Sequence, residues 1–223
     1  IFWIPGNTEM WSSSKVEEIS LNKMRELCSS YRNIKILYKS SFLLKENDEK
    51  ILVVGVSLWN KPRDGIMLHH SNNIYIKPIP SPVDFSELHK SQVEYLEYVI
   101  KNSELPLLIC SYYAPFTWYY EEDWIQEPKS SLIDRELEKL ITYPILSWIV
   151  GHNHLPIEYT RRYFLTDGTE GSVLFVSNPR GKREPKQNQY YRKEAVLKLQ
   201  PNLLMPQAEK ETVPFWAIKN TKN

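Results

Sequence analysis

The sequence predicts an α/β domain, helices layered on a largely buried sheet, and three observations point to it. Short apolar runs such as KILVVGVSLW (50–59), LPLLICSYY (105–113) and ILSWIV (145–150) have the length and composition of buried strands. Segments with apolar residues at helical spacing stand between them, the alternation that builds layered α/β folds. The apolar runs also end in polar residues, at Gly6-Asn7, Ser111-Tyr112 and Gly151-His152. In open α/β sheets, ligands lie beyond the carboxyl ends of the strands.

The chain opens on IFWIP, a strand running straight into a turn. Ser14-Lys15-Val16-Glu17 fits a capping box, in which a hydroxyl and a carboxylate satisfy free amides at a helix start. Ile19, Leu21, Met24, Leu27 and Cys28 continue at helical spacing, which predicts a helix over 14–31. IKILY (34–38) and SFLL (41–44) read as short strands, followed by the buried strand at 50–59. Pro62, Pro78, Pro80 and Pro82 break any regular element across 60–82. Asp84 and Glu87 open a second helix carrying Leu88, Tyr95, Leu96, Val99 and Ile100, with His89 on its polar side. A third helix is expected at 131–141, between the strands at 105–113 and 145–150. IEYTRRYFL and GSVLFVS flank an Asp167-Gly168 turn and read as a hairpin, since Asp-Gly supplies the positive φ of a tight turn. The division expected is one domain over 1–200 and a proline- and lysine-rich surface tail over 201–223.

Composition narrows the function. Of 223 residues, 42% are hydrophobic and 25% charged, ordinary values for a globular chain, and the net charge of +1 gives no field that would recruit nucleic acid. No apolar run approaches the roughly 20 residues needed to span a bilayer, and the opening residues lack the basic and apolar regions of a secretion signal. The partners expected are therefore neither nucleic acid nor membrane; oligomeric state leaves no signature. Cys28 and Cys110 are too few for a disulfide framework, so two reduced, buried thiols and a cytoplasmic location are expected.

At Gly151-His152-Asn153-His154, glycine permits a sharp turn and two imidazoles one residue apart can reach one metal or two neighbouring metals. An H-x-H pair alone suits surface histidines equally well; the apolar strand before it and Pro156 close behind favour a site. At Gly6-Asn7-Thr8-Glu9, the Asn7 carbonyl oxygen suits a divalent cation, while an ordinary turn explains the same residues.

Taken together, FWIPGNTE, VVGVSLW, LLICSYYAP, WIVGHNHLP and LFVSNPRG resemble, in order and spacing, the calcineurin-like metallophosphoesterases. The resemblance covers residue 1 to about Lys198. It implies an αββα sandwich with a two-metal centre (Mn, Fe or Zn) at the strand tips and a small phosphate ester as substrate or ligand. It implies that Asn7, His152 and His154 are metal ligands. The family's D-x-H and G-D-x-x-D motifs occur nowhere in this sequence, so its N-terminal strands are expected to be missing, the chain being a fragment of the domain. Two further positions depart. Thr8 stands where the family has its leaving-group histidine, and a hydroxyl has no pKa near neutrality with which to act as that acid. Tyr112 stands where the family has a metal-binding histidine, and a protonated phenol is a poor ligand. Hydrolysis is therefore expected to be impaired or absent, with a non-catalytic binding or scaffold module as the alternative.

The remaining charged and imidazole residues have plainer readings. His69, His70 and the acidic run Glu121, Glu122 and Asp123 suit solvated loops, and His89 a helix surface. Arg161, Arg162, Arg180, Lys182 and Arg183 could meet a phosphate, although basic loop residues are commonly just solvated.

Overall fold

The computed structural model describes residues 1–6, 9, 16–59, 82–115, 135–152, 157–179, 191, 195–197 and 199. Its elements are β1 (Phe2–Trp3), α1 (Val16–Cys28), β2 (Lys35–Ile36), β3 (Ser40–Glu46), β4 (Glu49–Val56), α2 (Pro82–Asn102), β5 (Leu107–Ser111), α3 (Arg135–Glu138), β6 (Ile145–Val150), β7 (Ile157–Phe164) and β8 (Glu170–Ser177). Strands β3-β4-β5-β6-β8-β7 form a six-stranded sheet, and β1 and β2 a separate parallel pair. Within the large sheet β4, β5, β6 and β8 are parallel, and antiparallel β3 and β7 close its two edges. The mixed α/β class read from the sequence is therefore the one observed.

Alternation along the parallel strands divides the core in two. Val54, Val56, Leu107, Ile109, Trp148, Val150 and Phe175 point to one face, where Val93, Leu96 and Ile100 of α2 and Leu21 of α1 cover them. Val53, Leu108 and Cys110 point to the other, against Phe2 of β1, Ile4 and Leu37 just beyond β1 and β2, and Leu197 and Leu199. Full burial stabilises each such side chain by about 1.5–3 kcal/mol, so the six-stranded sheet is held from both sides.

Several boundaries differ from the expectation. The strand read over 50–59 stops at Val56 because Leu58 takes a left-handed φ of 54°. The strand read over 34–38 is reduced to two residues. Pro82, read as a breaker, is the first residue of α2, where its missing N–H would have had no helical partner. The hairpin is as read: Gly168 has φ 85°, and the Thr169 amide donates to Asp167 (2.9 Å), which lowers that carboxyl's pKa. Both cysteines are free; Cys110 is buried, with its thiol pushed up to about 12, but Cys28 is only half-buried. His89 is buried, which corrects its reading as a surface residue. Among the described residues no helix is long and apolar enough to cross a membrane. The tail expected from Pro201 lies outside the described residues.

Candidate functional site

The four parallel strands finish level. Register aligns Val56 with Ser111 and Ser111 with Val150, while Ile149 faces Val176 near the end of β8. Residues following these strands therefore gather at one edge, and β1 delivers Pro5 and Gly6 to the same place. The Ser57 hydroxyl donates to the Pro5 carbonyl (2.5 Å), tying the first strand to the tip of β4. Gly6 donates its N–H to the Glu9 carboxylate (2.9 Å). A Cβ on Gly6 would fall 2.2 Å from the Tyr112 ring, so only glycine lets this ring lie against the turn.

Behind β5 the chain is fixed by its backbone. Tyr112 and Tyr113 donate to the carbonyls of Val56 (3.2 Å) and Ser57 (3.0 Å), and Gly151 donates to Ser111 (3.1 Å). Ser111 is itself buried, accepting from the Trp148 indole (2.8 Å) and donating to the Tyr113 carbonyl (2.6 Å). His152 follows in the left-handed region, φ 64°, an uncommon conformation outside glycine. Its Nδ1 lies 3.1 Å from the Tyr112 hydroxyl. Its ring sits 4.4 Å from the Tyr113 ring and 5.0 Å from that of Tyr112, centre to centre.

A second polar cluster supports the tip of β4. The Gln92 carbonyl accepts from the Leu58 amide, and its NH₂ donates to the Tyr38 hydroxyl (2.9 Å). Because a carbonyl only accepts, His89 Nδ1 donates to Trp59 O (2.5 Å). Neither role was read from the sequence, although His89, Val93, Leu96 and Ile100 share one helical stripe and the spacing could have placed His89 inside.

Of the positions read as functional, the structure brings Tyr112 and His152 together. Asn7, Thr8 and His154 lie outside the described residues, as do His69, His70, Glu121, Glu122, Asp123, Arg180, Lys182 and Arg183. Arg161 pairs with Glu138 and Arg162 with Glu170 (3.2 Å), so both already have carboxylate partners. Among the described residues no three His, Cys, Asp or Glu side chains gather as a metal site would require.

No protein-family model matches the chain. An uncharacterized protein of Acanthamoeba polyphaga mimivirus is 23% identical over 210 residues, a match spanning 84% of this chain and 70% of that protein. In structure the chain is similar to the phosphopantetheinyl hydrolase of Mycobacterium tuberculosis, with a TM-score of 0.53 at 14% identity over 83% of this chain and 73% of the hydrolase. What that likeness carries is the architecture: a mixed α/β fold of the metallophosphoesterase type.

Proposed function

We propose that the chain is a calcineurin-like metallophosphoesterase domain, descended from enzymes that hydrolyse phosphate esters with metal ions and itself impaired in that chemistry. One observation carries the reading. Gly6, Tyr112 and His152, which arrive from three separate strands, meet at the carboxyl edge of the sheet, where such folds place their ligands. On this reading the ligand is a small phosphate ester in the cytoplasm, and Asn7, His152 and His154 are what is left of the metal-binding set.

Two divalent ions (Mn, Fe or Zn) would activate a water and hold the phosphate oxygens. The described donors do not fit such a pair. Tyr112 presents a phenol where an imidazole is needed, and among the described residues no cluster of three metal-ligating side chains stands with it. A binding module without catalysis is the second reading, favoured by the Tyr112–His152 contact, which engages a ring nitrogen of His152.

Hydrolysis of p-nitrophenyl phosphate, bis(p-nitrophenyl) phosphate and a phosphopantetheinyl ester in Mn²⁺ tests the reading. The native chain should stay near background. In a chain that also carries the family's upstream D-x-H and G-D-x-x-D strands, Tyr112→His with Thr8→His should raise turnover by about 10²-fold or more, the usual range for a restored general acid; Thr8→His alone should do little. Strong native turnover that EDTA stops would overturn the impairment. A double variant that binds two metals without hydrolysis would replace the first reading by the second.

A further inference from the structure

We propose that Tyr112 withholds His152 from metal: its hydroxyl donates to Nδ1 and fixes the imidazole proton on Nε2. The inference rests on reading His152 as a metal-ligand position. It adds that the tyrosine does more than remove one ligand, since it also engages a second.

Proton placement follows from the chemistry of the pair. A phenol releases its proton more readily than a neutral imidazole, and an imidazole nitrogen accepts one more readily than a phenol oxygen. In the tautomer proposed, the bond, 3.1 Å between its heavy atoms, therefore runs from Tyr112 O–H to His152 Nδ1. Neutral imidazole has one nitrogen lone pair, and the other nitrogen carries hydrogen. With that lone pair given to Tyr112, a metal reaches Nδ1 only by breaking the bond, and Nε2 only once the proton has moved to Nδ1 and the bond has reversed toward the Tyr112 oxygen.

Both partners are held in place to make it. The Tyr112 ring lies against Gly6 so closely that a methyl group there would overlap it, and its backbone is bonded to β4. His152 follows Gly151, whose amide is bonded to Ser111, and its ring packs on buried Tyr113. Neither ring swings away without disturbing the tips of two strands. Tyr112 thus acts as a positioning residue on His152, through geometry and through the tautomer it selects.

Tyr112→Phe keeps the ring against Gly6 and deletes the hydroxyl, so it isolates the bond. Calorimetric titration with Zn²⁺ should show affinity rising up to about tenfold, the equivalent of one net hydrogen bond that no longer has to be broken or reversed. His152→Ala added to that variant should return affinity to the native level. Nitrogen-15 NMR of the native, metal-free chain should show the His152 proton on Nε2, a signature that a merely structural tyrosine would not set. A proton on Nδ1 overturns the inference and leaves the metal-site reading standing. Unchanged or weakened Zn²⁺ binding in Tyr112→Phe overturns it as well. A gain that survives His152→Ala places the metal elsewhere, and then inference and metal-site reading fall together.

Discussion

Among the described residues, two that follow parallel strands take the left-handed conformation, Leu58 beyond β4 with φ 54° and His152 beyond β6 with φ 64°. Each conformation costs about 1–2 kcal/mol relative to the right-handed regions. What each obtains in return differs. Leu58 is 1% exposed within the main core, and its amide is bonded to a fully buried Gln92. Packing over-determines it, and its side chain does nothing but fill space. His152 is only half-buried, and what its backbone accomplishes is to bring an imidazole onto Tyr112 and Tyr113. Strain at the first tip is a by-product of closing the core; at the second it brings a polar ring against two tyrosines.

Glycine at either position removes the strain, and the comparison then turns on what else is lost. Leu58→Gly should destabilise the chain by about 3 kcal/mol in urea denaturation, because loss of a buried leucine outweighs the relief. A variant as stable as the native chain would show that Leu58 is not the core anchor described.

Removing the clamp separates backbone support from burial. Gln92→Leu keeps the volume but leaves the Leu58 amide without its acceptor, a loss of about 2 kcal/mol. Equal melting of variant and native chain would put the support of this turn elsewhere. His152→Gly should shift stability by no more than about 1 kcal/mol in either direction, strain relief offsetting the lost ring contacts and hydrogen bond. A large loss at this position would mean that His152 is held for packing, and would erase the difference between the two tips.

How much of this was legible in sequence depends on the range of the interaction. The apolar runs, the Asp167-Gly168 turn and the helical spacing of α1 and α2 were readable, since each reflects a conformational preference repeated over neighbouring residues. So was the presence of three polar strand tips. That β4 ends at Val56 was not, because the apolar pattern runs on through Leu58 and Trp59 while the backbone turns to meet Gln92. His89 had a readable signal in its helical phase, but a polar side chain invited a surface assignment that the Trp59 carbonyl overrules.

By itself, then, the sequence determined the layered α/β class and the elements that point at one edge. Tertiary structure alone decided that Tyr112, forty residues before His152 in the chain, would share a hydrogen bond with it while lying on Gly6. Periodicity is imposed by torsions and hydration along a few neighbouring residues, and so it is written locally. The meeting of two side chains depends on strand order, register and the twist of the whole sheet, which take shape only when distant segments pack together.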